Sequence, residues 1–398
     1  MESSFNFLVD QTIRGKIYPA LAKWQARPYT PQWRQFGEHW PFTTPLRVQE
    51  YCVQHQVNIH TIPFDADIPE KCYYPICVGF FDFGIDYVDL LPAIVKELLR
   101  QDKIKILFFY HEGDNPIKIK SRLDCLFANH GFQPTAYVFV SSNTRARDLS
   151  GFVYFTDFEL WYFQRNIEQE CVPAHLDARS KDFTVLSRIH KWWRAAAMTD
   201  LHRNGLLQSA YWSYCQRPDN LDITDCPIEI DSLSRLRWDI SKFMSGTPYT
   251  CDTLDDSQKN DHSMLVAEHF ADSYCNIVLE SQFDVDQSDG AFLTEKTFKP
   301  IKHGQLFFIA GGPGSVQLLR DLGYKTFDKV LDHSYDLELD PTQRWLALLS
   351  SIKHAKQQGL SRLYTQCIDE ILHNQELFSN TKTSRLNTLM EQINAQHR

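Results

Sequence analysis

Between residues 293 and 315 the chain reads LTEKTFKPIKHGQLFFIAGGPGS, and two parts of that run carry residue types that handle anions. Thr294, Glu295 and Lys296 combine a capping hydroxyl, a carboxylate and a cation at an expected helix start. A carboxylate there can accept from free backbone N–H groups or from a ribose, and a lysine can face a phosphate. The apolar run 305–310 then feeds Gly311, Gly312, Pro313 and Gly314. A glycine turn that opens a helix lets backbone donors approach a diphosphate closely. A strand, glycine turn and helix also occur for structural reasons alone in most α/β domains. The pairing of both devices is what points to a nucleotide-binding half-domain.

Short apolar segments alternating with helical patterns must position these groups, an alternation that signals parallel βαβ units. Strands are expected at 57–62, 77–81, 104–110 and 136–140, with helices at 88–100 and 119–129 between them, and residues 1–60 as a short irregular cap. After a polar linker at 168–181 a second set follows. It has strands at 183–186, 209–214, 275–280 and 305–310, and helices at 191–204, 262–271, from 315, and 341–357. Residues 215–261 are polar and rich in Pro, Gly and Asp, which suggests a long insertion or loops that line a cleft. The reading is α/β with two Rossmann-like domains facing a cleft: 1–175, then 176–375, then a final helix at 376–398.

With 398 residues the chain exceeds one compact core, which agrees with two domains. The formal charge of −9 argues against nucleic-acid binding by a broad basic face, although Lys181, Arg188, His190, Lys191, Arg194, His202 and Arg203 form a local basic segment. The ten cysteines show neither a CxxC pair nor a repeated spacing, so neither zinc nor a disulfide scaffold is expected. No secretory signal opens MESSFNFLVD, and no apolar run reaches the length of a membrane span, so a cytoplasmic setting is expected.

Residues 293–336, with GYKTF at 323–327 and DHSYD at 332–336, resemble the C-terminal nucleotide-sugar domain of inverting glycosyltransferases of the two-Rossmann (GT-B) type, and in particular the bacterial α1,3-fucosyltransferases. The resemblance implies a nucleotide-diphosphate sugar as donor, no cofactor or metal requirement, and a glycan or other hydroxyl acceptor. It places Glu295 on the ribose and Lys296 near the phosphates, with Phe292 where those enzymes carry a tyrosine. It also implies an arginine early in the second domain that faces the diphosphate; Arg188 and Arg194 are both candidates, and a guanidinium fork suits phosphate. Lys296 with Gly312 and Gly314 would complete that neutralisation. In such folds an acidic residue ending a strand meets the donor ribose or sugar, a role open to Glu280, as is simple capping of a nearby loop.

For the base that takes the acceptor's proton, Glu112 is favoured. It lies in FFYHEGDNP directly after an expected buried strand, where α/β ligand crevices form. His111, with a pKa nearer neutrality, and Asp82 are the rivals. The acidic run DVDQSDG at 284–290 imitates a calcium loop but has its glycine at the seventh place instead of the sixth, and reads as a solvated turn, with a metal site as the lesser alternative. Trp192 and Trp193 cannot share one helix face, so one is expected in the core and the other at a ligand or a boundary. Three further readings remain open: a non-catalytic nucleotide or sugar binding protein, a glycosyltransferase acting on a modified DNA base, and a nicotinamide-dependent oxidoreductase built on the glycine turn. The last is weakened because GGPGS is not GxGxxG.

Overall fold

The computed structural model describes residues 6–9, 59–61, 72–78, 81, 83–160, 172–215, 233–251, 265–284 and 289–396. The chain is α/β and forms two compact units, Met1–Thr156 with Thr383–Arg398, and Asp157–Lys382.

The first unit holds a parallel sheet of β1 (Asn6–Val9), β2 (Ile59–Thr61), β3 (Cys72–Val78), β4 (Ile104–Tyr110), β5 (Tyr137–Ser141) and β6 (Phe152–Tyr154), in the order β2-β1-β3-β4-β5-β6. Helices α1 (Ala93–Arg100) and α2 (Pro116–Asn129) connect its later strands. β4 is an apolar run with one half-buried position, as a strand covered on both faces requires. Phe108, Phe127, Tyr137, Phe139 and Phe152 build the core around it, Phe139 and Phe152 stacking with centroids 5.0 Å apart.

Three expectations for this unit need correction. The irregular cap contains β1, a strand between β2 and β3; its four residues are too few to register as a periodic pattern, and only pairing on both sides makes them a strand. The strand expected at 77–81 begins earlier, at Cys72, and runs through Pro75. Proline lacks the N–H a ladder needs. Here β1 pairs only with Cys72 and Tyr73, so Pro75 lies past the end of that ladder. Pro92 delays α1 to Ala93, since the residue before a proline disfavours helical backbone.

The second unit has β7 (Lys181–Ser187), β8 (Ala210–Tyr214), β9 (Ser273–Leu279) and β10 (Leu306–Ala310), all parallel, in the order β10-β9-β7-β8. The helices are α3 (Trp192–Arg203), α4 (Leu233–Ser245), α5 (Ala267–Ala271), α6 (Glu295–Lys302), α7 (Ser315–Asp321), α8 (Pro341–Gln358), α9 (Leu360–Gln366) and α10 (Ile368–Ala395), whose residues from Thr383 on belong to the first unit. α4 lies within the stretch 215–261, read as a long insertion or loops, and makes part of it helical. Its apolar residues are diluted by Ser, Arg, Asp and Lys, and it is held against α3 by tertiary packing. β9 and β10 are buried throughout. Trp193 is in the core, stacked on Phe283 at 4.8 Å, while Trp192 is half-buried and meets the His190 ring edge-on at 4.7 Å.

Candidate functional site

Chain order in the second sheet sets the position of the site. From β7 the chain crosses by α3 to β8 on one side and returns to β9 on the other. The loops leaving β7 and β9 therefore part in opposite directions, and such a switch point opens a crevice at the carboxyl ends of the strands. Residues 188–191 and 280–282 border it.

Two basic side chains, one buried and one exposed, tie these two loops together. Arg194, on the first turn of α3 and only 3% exposed, donates from Nη1 to the Ile189 oxygen at 3.2 Å and from Nη2 to the Glu280 backbone oxygen at 2.7 Å. Lys191 Nζ donates to the Ser281 oxygen, a second bridge between the loops. Burial pushes the Arg194 pKa down, and the nearby Glu280 and Glu295 carboxylates oppose that shift. The Arg194 fork is thus engaged with the protein's own backbone, where a diphosphate contact had been expected. Arg188 is half-buried just past the end of β7.

Glu280 is fully buried, and its carboxylate takes the loop-capping role. Oε1 accepts from the Thr294 amide at 3.0 Å and the Thr297 hydroxyl at 2.6 Å; Oε2 accepts from the Thr294 hydroxyl at 2.7 Å and the Ser281 amide at 3.0 Å. Thr294 is the N-cap of α6, its Oγ1 accepting from the Lys296 amide at 3.4 Å. Lys296 Nζ then reaches Glu295 Oε1 at 2.8 Å, Thr294 Oγ1 at 3.2 Å and Ser281 Oγ at 3.4 Å. Glu295 is 3% exposed, whereas the Lys296 side chain is 27% exposed. The structure so brings Arg194, Glu280, Thr294, Glu295 and Lys296 into one cluster of two cations and two carboxylates, with the lysine at its solvent side. Next to it His190 Nδ1 lies 2.6 Å from the Tyr214 hydroxyl at the end of β8, and burial lowers the His190 pKa.

The glycine turn serves a different partner. Gly314 has φ 81°, a backbone that glycine adopts without strain, and its amide donates to the Asp336 oxygen at 3.0 Å. A Cβ on Gly311 would come within 2.5 Å of the Ser315 hydroxyl, which folds back to donate to the Gly312 oxygen at 2.7 Å. The first free amides of α7, from Val316 and Gln317, both donate to the Asp336 carboxylate at 2.9 Å. An internal carboxylate occupies the place where the sequence suggested a diphosphate. Burial raises the Asp336 pKa, and those two amides work against the rise. Phe292 is also turned inward, edge-on to Phe158 at 5.7 Å and 3% exposed.

His111 and Glu112 belong to the first unit, in the loop after β4, and both are half-buried. Their loop is held on either side. Tyr110 donates to Asp114, Asn143 Nδ2 donates to the Gly113 oxygen at 2.9 Å, and Asn115 caps α2 by accepting from the Ile117 amide at 2.9 Å. Asp82 and residues 285–288 of the acidic run lie outside the described residues. Among the described residues no group of three or more His, Cys, Asp or Glu side chains is placed to hold a metal ion, and no helix is long and apolar enough to cross a membrane.

Sequence reasoning missed Thr297 and Ser281, named Lys191 only as part of the local basic segment, and gave Asp336 no role of its own within DHSYD. Thr297 had a signal, since it follows Thr294 by three positions and so shares its helix face. Asp336 had none, because its partners are distant in sequence.

No protein-family model and no curated protein sequence matches this chain. Among solved structures it is similar to a DNA-modifying β-glucosyltransferase determined with and without uridine diphosphoglucose, at 10% identity over 99% of each chain and a TM-score of 0.37. It is similar to an α-glucosyltransferase in complex with UDP-glucose and DNA containing an abasic site, at 10% identity over 97% of this chain and 98% of that one, with a TM-score of 0.38. A glycosyltransferase from Rickettsia africae ESF-5 follows at 9% identity, 94% and 97% coverage and a TM-score of 0.29. At such values no residue of those proteins maps onto this one.

Proposed function

We propose that the protein is a glycosyltransferase that holds a nucleotide-diphosphate sugar at the crevice of the second unit and transfers the sugar to a hydroxyl acceptor with inversion. The observation that supports this is the convergence of Arg194, Glu280, Thr294, Glu295 and Lys296 on the switch point between β7 and β9, the position at which open α/β sheets take their ligands. In this reading Lys296, the most exposed member, faces the leaving diphosphate with Arg188. Glu295 accepts from the ribose once the ammonium turns to phosphate. Arg194 ties together the two loops that border the crevice and carries no phosphate itself. Gly312 and Gly314 shape the neighbouring turn. On the first unit Glu112, with His111 beside it, takes the acceptor's proton as the sugar is attacked; a positioned base of this kind accelerates transfer by roughly 100- to 10,000-fold. The likeness to fucosyltransferases in 293–336 agrees with a nucleotide-sugar donor and leaves the sugar unnamed.

A thermal-shift panel of GDP, UDP, CMP, dTDP, ADP and NAD on the wild type and on Lys296→Ala tests the donor site, because a ligand bound only by the folded state raises its stability. One nucleoside diphosphate should shift the wild type and not the variant. No shift with any nucleotide removes the reading, and a shift with NAD alone favours an oxidoreductase. With the donor known, the anomeric configuration of the product, read by NMR, decides inversion.

A further inference from the structure

As a carboxylate Glu280 only accepts, so the direction of every bond around it is fixed from Glu280 outward. Thr294 has a single hydroxyl proton, and it points at Glu280 Oε2, 2.7 Å away. Only lone pairs of that oxygen remain, and they face the Lys296 ammonium at 3.2 Å and the Lys296 amide at 3.4 Å. Thr297 donates to the other carboxylate oxygen at 2.6 Å, beside the Thr294 amide at 3.0 Å. Polarity therefore runs from Thr297 into Glu280, and from Lys296 through Thr294 into Glu280. A glutamine at 280 would present N–H groups to part of this ring. With the amide nitrogen in the Oε2 position Thr294 must rotate to accept and its proton meets the ammonium; with it in the Oε1 position the nitrogen meets the Thr294 amide, a donor against a donor. In a buried network a group with the wrong polarity costs more than a missing bond.

We propose that Glu280 is a positioning residue for Lys296 and Thr297 the residue that holds it: Glu280 Oε2 forces Thr294 to present an acceptor to the ammonium, Thr297 on Oε1 keeps the carboxylate in that orientation, and the cation is so held at the mouth of the crevice, where it meets the diphosphate of a nucleotide. The effect on nucleotide affinity rests on the donor-site reading above; the effect on the lysine does not.

The full chain is treated with limiting acetic anhydride, and acetylation of Lys296 is followed by peptide mass spectrometry relative to exposed Lys353. The proteins compared are the wild type, Thr297→Val, Thr297→Ser and Glu280→Gln, with thermal unfolding as the control for folding. Lys296 should be acetylated faster in Thr297→Val and Glu280→Gln, by about tenfold, the lower end of the weight of one hydrogen bond to a charged group. Thr297→Ser, which restores the hydroxyl, should match the wild type. If Glu280→Gln does not fold, the valine and serine pair still decides. Equal labelling of Lys296 in the wild type and a folded Thr297→Val overturns the proposal. Titration calorimetry with the nucleoside diphosphate that shifts the wild type in the thermal-shift panel provides the second readout. Affinity should drop in Thr297→Val and return in Thr297→Ser, and an affinity that follows Lys296→Ala but ignores Thr297→Val also overturns it. Unchanged affinity in Lys296→Ala instead removes the donor-site reading and leaves the labelling result to stand alone.

Discussion

Arg194 Nη2 lies 2.7 Å from the backbone oxygen of Glu280, and this bond joins the loops that leave β7 and β9 although the two residues are 86 positions apart. The same guanidinium holds the Ile189 oxygen. An ammonium is a point donor and cannot span both carbonyls as a planar fork does. Arg194→Lys should therefore lower stability by about 2–4 kcal/mol, two hydrogen bonds to a charged group being at stake. Urea denaturation measures this, and a loss below about 1 kcal/mol would show that the loops hold together without it.

The Asp336 carboxylate caps α7 through the Val316 and Gln317 amides. Asp336→Ala removes both acceptors, and its cost should be about 1–3 kcal/mol, the range for loss of a buried cap. Asp336→Asn keeps one acceptor oxygen and should fall between the variant and the wild type. Chemical denaturation midpoints for the three proteins provide the check; an alanine variant as stable as the wild type would mean that the turn satisfies itself.

Acid should destabilise the second unit through two neutral histidines. Burial holds His303 down to about 3 and His333 down to about 4, from 6.5. His333 takes the tautomer its partners demand, accepting at Nδ1 from Tyr335 and donating from Nε2 to the Thr326 oxygen at 2.6 Å. On lowering the pH from 6.5 to 4 the unfolded chain takes up protons that the folded chain refuses. Stability from these groups is complete above pH 6.5 and falls as pH drops, by up to about 1.4 kcal/mol per pH unit for each histidine. Buried Asp200 and Asp336, whose pKa values are raised, contribute with the opposite sign. Comparing wild type with His333→Gln at pH 7, 6 and 5 isolates the histidine: the variant should show the shallower slope, and identical slopes would reject the assignment.

Glu112→Gln should reduce turnover by roughly 100-fold or more, the usual weight of a general base, while nucleotide binding is unchanged. His111→Gln should have the smaller effect. A turnover rate that follows His111 and not Glu112 would exchange their roles.

Much of the framework was legible because it depends on local pattern. β4 stands at the bounds its seven-residue apolar run suggests, and α8 ends within a residue of its expected stop. Asp340 and Pro341 mark its start, with the carboxylate accepting from the Gln343 amide at 2.8 Å. Thr294 caps α6 as its residue type and position suggested. β1 was not legible, since four residues carry no period of their own and become a strand only between two neighbours.

The candidate site divides along the same line. From sequence alone the chain shows which groups are able to meet a nucleotide: Thr294, Lys296 and the arginines for the phosphates, Glu295 and Glu280 for the ribose. Only the tertiary structure decides what each one faces. Strand order sets the ends of β7 and β9 side by side, giving Arg194 to two carbonyl oxygens and Glu280 to two threonines. It also gives the amides of α7 to Asp336, about 20 positions away. A buried polar group must find a partner, and that partner is chosen by proximity in the folded core, which spacing along the chain does not encode.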